Sequence, residues 1–169
     1  MSEQSVFSVE KLYIKDLSVE VPHAPEIFLK QEAPEINIQL HSKANQVEGN
    51  WFEVLLTIVV SAKVKETNAF LVEVGQAGAF RIENVPQEQM EPLLAITCPS
   101  VLFPFAREVI ANATVKAGFP PLLLQPVNFE ALYMERLEAE KKQKNENNEK
   151  NEKNSESTVE KTTASNDEP

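Results

Sequence analysis

Apolar and polar residues alternate along four stretches of the first half of the chain. In residues 7 to 21, Phe7, Val9, Tyr13, Leu17, Val19 and Val21 share one parity, while Asp16, Ser18 and Glu20 hold the other. This period of two predicts a strand with one covered face, ended by Pro22 and Pro25. Ile36, Ile38 and Leu40 repeat the pattern after Pro34, and a loop rich in Asn, Gln and Gly is predicted at Asn45 to Asn50. Two longer strands come next. Phe52, Val54, Leu56, Ile58, Val60, Ala62 and Val64 share one face of the first, and Phe70, Val72, Val74, Gly78, Phe80 and Ile82 share one face of the second. The short polar turn from Lys65 to Asn68 predicts a hairpin between them. Gly75 and Gly78 interrupt the last strand, which suggests a bulge or a close backbone approach.

The second half changes period. Ser100 is a candidate N-cap and Pro104 falls where a first helical turn tolerates it, which predicts a helix through Ala117 with Gly118 as its left-handed stop. Phe119 to Pro126 is an apolar crossover in which three prolines forbid a regular helix. Asn128 caps a second helix, with Phe129, Leu132, Tyr133 and Leu137 on one face. Strands with one apolar face, followed by helices, predict an α+β domain: a four-stranded antiparallel sheet with two main helices packed on one side. The greasy crossover is either core or the wall of a groove for another apolar chain. On the opposite sheet surface, Leu71 and Glu73 of the fourth strand and Asp16, Ser18 and Glu20 of the first form a carboxylate-rich patch beside a leucine. That is a solvated face or a docking patch for a basic amphipathic segment.

Composition narrows the class. The 169 residues are 42% hydrophobic, enough for one domain, expected over residues 1–143. Beyond it the chain is nearly all Asn, Glu, Lys, Ser and Thr, and residues 144–169 are predicted to be a disordered polar tail. Net charge is −10, of which only −3 lies from Glu138 onward. So acidic a domain repels phosphate backbones and argues against nucleic acid as a partner. Cys98 is the single cysteine, which fits a reducing compartment. The N-terminus lacks the basic start and apolar run of a signal peptide, and no stretch approaches the 18 to 20 apolar residues of a membrane span. The expectation is a cytoplasmic chain without membrane insertion.

Little here can be gathered into a catalytic site. His23, His41 and Cys98 are the only candidates for a nucleophile and base, and Cys98 precedes a proline in apolar surroundings that raise a thiol pKa. No pair of His or Cys has metal spacing and no phosphate-binding glycine motif occurs, so neither catalytic residues, metal nor cofactor is expected. One reading is a small acidic α+β domain that binds or processes an apolar small molecule in the groove beside the crossover.

Four blocks resemble a known family. YIKDLSVEVPHAPEIF at Tyr13 to Phe28, AFLVEVGQAGAF at Ala69 to Phe80, CPSVLFPFARE at Cys98 to Glu108 and GFPPLLLQPVNFEALY at Gly118 to Tyr133 are similar, in order, to the SecB protein-export chaperones. The resemblance implies a homotetramer, a dimer of dimers, that holds precursor proteins unfolded and delivers them to the translocation ATPase SecA. It implies SecA docking at Asp16, Glu20, Leu71 and Glu73, and client contacts at Phe103, Phe105, Phe119, Leu122 and Leu124. It also places Val72, Val74 and Gln76 in a strand region that affects assembly. Some relatives carry a tryptophan just before the position of Pro34, where Gln31, Glu32 and Ala33 offer no aromatic.

Overall fold

Two tight hairpins organise the chain. In the computed structural model, which describes residues 4–144, strands β1 (Val6–Glu20), β2 (Glu35–Glu48), β3 (Trp51–Val64) and β4 (Thr67–Glu83) form one antiparallel sheet in the order β1-β4-β3-β2. β3 and β4 turn on Lys65 and Glu66, as the pattern predicts, with Val64 opposite Thr67. The predicted loop at Asn45 to Asn50 is mostly strand: Asn45 pairs with Glu53 and Gln46 with Phe52, leaving only Gly49 and Asn50 as the turn. The ladder hydrogen bonds of a long partner strand outweigh the weak strand preference of Asn and Gln there.

β1 reaches its place beside β4 through a crossover to β2 on the far edge. A 3-10 turn, Glu26–Leu29, buries Ile27 against the core. The crossover is tied to the β3–β4 turn by His23 Nδ1, which donates to the Asn68 carbonyl at 3.0 Å, by Lys30 Nζ, which donates to Thr67 Oγ1 at 2.6 Å, and by the Glu32–Lys65 ion pair.

The alternation read for β1 holds only in part. Register shifts between Val9 and Lys11, and between Ile14 and Asp16, invert the parity twice. Phe7, Val9, Leu12, Ile14, Leu17 and Val19 therefore pair with Ile82, Phe80, Gly78, Gln76, Val74 and Val72 on the helix side, while Tyr13 pairs with Ala77 on the opposite face. Tyr13 lies on the face opposite to the one that parity predicts, because a bulge shifts the count by one, which sequence parity cannot register.

The helix also starts earlier than predicted. α1 (Gln87–Pro92), a π-helical turn (Leu93–Thr97) and α2 (Cys98–Lys116) run on as one 30-residue helix, Gln87–Lys116. Ser100 is not its cap: its hydroxyl donates back to the Ile96 carbonyl at 2.6 Å, and Pro104 lies inside the helix. Proline at 99 and 104 removes two donors from the ladder, and the preceding π turn widens the helix to fit them. By length and composition this helix is long and apolar enough to cross a membrane, contrary to the expectation that no stretch approaches such a span, because it continues through the prolines that break it up in sequence. In the fold one face of it is core: Cys98, Leu102, Ala106 and Ile110 are fully buried, with α2 lying over β4 and β3.

Gly78 makes this packing possible. A Cβ there would lie 2.9 Å from Leu102 and 2.7 Å from the ring of Phe80. At the other end, Gly118 has φ +88° and closes the helix as predicted, with the Phe119 N–H bonded to the Thr114 carbonyl at 3.1 Å. Residues 119–128 form no regular structure, and a further helix, α3, occupies residues 129–144. Within α3, the guanidinium of Arg136 lies 5.3 Å from the centre of the Tyr133 ring and pairs with Glu140. The predicted tail lies, after Lys144, outside the described residues.

Candidate functional site

Two surfaces of the sheet carry the residues singled out by sequence. On the face away from the helix, Glu20 pairs with Leu71, Ser18 with Glu73 and Asp16 with Gly75. On β3, Ser61 and Val59 stand beside Leu71 and Glu73. Asp16 and Glu20 are exposed, and Leu71 and Glu73 are half-buried by their neighbours. The four residues thus form one continuous acidic patch with an aliphatic centre.

The middle of this face is low, because β4 presents only Gly75, Ala77 and Ala79 there. Side chains of β1 therefore reach across β4 to β3, over two strand spacings of about 4.8 Å each. Tyr13 Oη donates to Glu53 Oε2 at 2.5 Å, and Lys15 Nζ donates to Glu53 Oε1 at 2.5 Å. The Lys15 bond, with that of Tyr13 second, holds the Glu53 carboxyl below the usual carboxylate range. Burial, reinforced by the hydrogen bond to Glu53, pushes the Tyr13 phenol up to about 12. The cluster clamps β1 onto the sheet and borders the acidic patch.

The helix side is apolar. Phe103 and Leu124 are buried in the core, Phe103 meeting Phe129 edge-on at 6.0 Å between ring centres. Phe119 and Leu122 are half-buried against that core, and Phe105 is 43% exposed. Phe119 packs between the tilted rings of Phe70, at 4.9 Å, and Phe28, at 5.4 Å. Phe28, 49% exposed, and its exposed neighbour Leu29 extend this apolar surface and were missed by sequence reasoning. Their signal was the PHAPEIF turn, where two prolines and a short 3-10 turn leave some apolar side chains with no inner side to face. Phe28 supplies an aromatic in the crossover although Gln31 to Ala33 do not.

Val72 and Val74 have no exposed surface, and Gln76 is buried with its Nε2 donating to the Tyr13 carbonyl at 3.1 Å. They form the layer behind β1. The exposed members are their register partners and neighbours on β1, Phe7, Val9, Leu12, Ile14, Leu17 and Val19, each between 37% and 47% exposed. Six large apolar residues in one row on an edge strand are far more than scattered surface hydrophobes. Burial pushes the Cys98 thiol up to about 12, which leaves it inert as a nucleophile. No cluster of metal-binding side chains occurs among the described residues.

The chain resembles known proteins in sequence and fold. The family model described as preprotein translocase subunit SecB matches residues 1–140. The protein-export protein SecB of Dechloromonas aromatica is 59% identical over 137 residues, covering 81% of this chain and 90% of that protein. Its counterpart in Neisseria gonorrhoeae is 50% identical over 143 residues, covering 83% and 97%. Among solved structures, a SecB-like chaperone of Mycobacterium tuberculosis, in complex with a peptide from an antitoxin, has the same fold with a TM-score of 0.61. The identity there is 15%, over 72% of this chain and 90% of that one. Matched through sheet, long helix and crossover alike, the chain belongs to the SecB family.

Proposed function

We propose that this protein is a cytoplasmic, ATP-independent holdase that keeps precursor proteins unfolded and delivers them to SecA for export. The observation that carries this reading is the family match over residues 1–140, joined to the unusual amount of apolar surface that the fold leaves uncovered. Burial of apolar area is worth roughly 25 cal/mol per Å² and has no direction, so one surface accepts many unfolded sequences and rejects folded ones. Holding then needs no nucleotide. Selection is kinetic: slow folders are captured, while fast folders hide their apolar residues first.

Clients lie along Phe105, Phe119 and Leu122, with Phe103 and Leu124 as the buried floor and Phe28 as an added wall. SecA docks on Asp16, Glu20, Leu71 and Glu73, where the acidic charge favours a basic segment. The protein works as a homotetramer, a dimer of dimers. A second copy covers the row on β1, and Val72, Val74 and Gln76 act on assembly from beneath it. Residues 1–143 form the chaperone domain.

The test is the refolding of a slow-folding, chemically unfolded protein without nucleotide. Arrest at about one tetramer per client, with no effect on the folded protein, is expected. Unchanged refolding in the presence of the intact oligomer overturns the proposal.

A further inference from the structure

We propose a second recognition site, a cleft at the β2–β3 turn that takes the arginine or lysine side chain of an extended polypeptide. The cleft measures about 580 Å³ and is lined by Val47, Glu48, Gly49, Asn50, Trp51 and Glu83. It lies at the end of the sheet remote from the acidic patch: Trp51 pairs with Arg81 near the end of β4, whereas Leu71 stands near its start.

Three features point to a cation with an apolar stem. Trp51 is 42% exposed and Val47 is 67% exposed, so two large apolar surfaces are left at one turn. Two carboxylates stand beside them. Among the described residues the Glu48 carboxylate has no ion-pair or hydrogen-bond partner, and the Glu83 carboxylate meets Arg81 Nη1 at 3.4 Å, while the Nε of that arginine is held by Glu10 at 3.1 Å. With Glu10, Glu48 and Glu83 against Arg81, the surroundings remain negative. An anion is repelled there, and a purely apolar ligand leaves the carboxylates to be desolvated without a partner.

A guanidinium or ammonium over the indole face satisfies both requirements, since tryptophan is the strongest cation–π partner and the carboxylates complete the charge. Arginine is favoured over lysine because its planar, weakly hydrated group stacks on the ring and still donates to carboxylates. The turn is at the open edge of the sheet, where β2 has a neighbour on one side only, so an extended chain can approach alongside.

Trp51 is the only tryptophan, so its emission reports on the cleft directly. The full-length protein is titrated at low salt with an acetylated Val-Arg-Val-Arg amide, and with the same peptide carrying uncharged citrulline for arginine. The expected result is a saturable emission change with the arginine peptide, and affinity at least about fivefold weaker with citrulline or in high salt. Glu48→Gln, on an exposed turn, weakens binding and Glu48→Gln with Glu83→Gln abolishes it. Should the double variant fail to fold, Glu48→Gln alone decides. Equal affinity for the two peptides, unchanged binding by Glu48→Gln, or no saturable change overturns the proposal. Client holding is measured separately, so its failure leaves this result standing.

Discussion

Gln76 Nε2 donates to the Tyr13 carbonyl at 3.1 Å, next to the point where β1 shifts its register against β4. A bulge leaves a carbonyl of the ladder without its usual partner, and this buried amide supplies one. By holding the shift in place, Gln76 keeps Leu12 and Ile14 on the same face as Leu17 and Val19. Gln76→Leu keeps the bulk and removes the bond. We expect it to destabilise the chain by about 1–3 kcal/mol and to shift the oligomer toward smaller species in light scattering. An unchanged oligomer at matched concentration shows that the row on β1 is not positioned through Gln76.

Glu73 sits between Ser18 and Val59 on the outer face, apart from the helix side. Glu73→Lys is therefore expected to weaken SecA binding strongly, as reversal of a charge at a docking patch does, while refolding arrest of a client is kept. Calorimetry against SecA, beside the arrest assay, separates the two. Equal loss of both activities contradicts the division of faces.

The apolar surface on the helix side divides by burial. Phe103→Ala opens a cavity among Phe129 and the core, at about 3–5 kcal/mol, and lowers the melting temperature sharply. Phe105→Ser and Phe28→Ser touch partly exposed rings and cost far less stability. They are expected to weaken client holding without changing the oligomeric state, and full activity in that double variant removes these residues from the client surface.

Sequence reading located this crossover and its apolar character from Phe119 to Pro126, yet did not separate core from surface within it. Hydrophobicity alone does not state which of Phe119, Leu122, Leu123 and Leu124 turns inward; in the structure Leu124 is buried and Leu123 is exposed. The strands were legible where both neighbours are long strands, as in β3 and β4, since full burial enforces strict alternation. They were less legible in β1, where two bulges reset the count, and in β2, where Asn45 to Gln46 take strand geometry only through their partners. The start of the long helix is misplaced by Ser100 and Pro104, which read as a cap and a first-turn proline but lie inside it.

At Gly118, φ is +88° and an added Cβ would stand 3.0 Å from the ring of Phe28. Gly118→Ala combines left-handed backbone strain with that contact, and a loss of about 1–2 kcal/mol is expected in denaturant unfolding. Gly118→Ala with Phe28→Ala should recover the steric part alone. No recovery assigns the whole cost to the backbone.

Stability also carries the mark of the Tyr13, Lys15 and Glu53 cluster. Glu53 is held below the ordinary carboxylate value, so its contribution is complete above about pH 4.3 and is lost as pH falls through its folded value. Tyr13 is raised to about 12, so its contribution is complete below the ordinary value of 10.0 and is lost as pH rises toward 12. The melting temperature of Glu53→Gln is expected to lie below wild type at neutral pH, with the gap narrowing at both extremes. A gap independent of pH assigns the effect of Glu53 to packing.

Thr114 is fully buried near the end of α2, and its hydroxyl both donates to the Ala111 carbonyl and accepts from the Leu122 N–H, each at 2.9 Å. One oxygen atom thus belongs at once to the last turns of the helix and to the crossover. A pull that lifts Leu122 from the sheet loads the helix end through the same atom, and fraying of that end slackens the crossover in return. The two segments are mechanically one part, and the apolar wall they build yields as a unit.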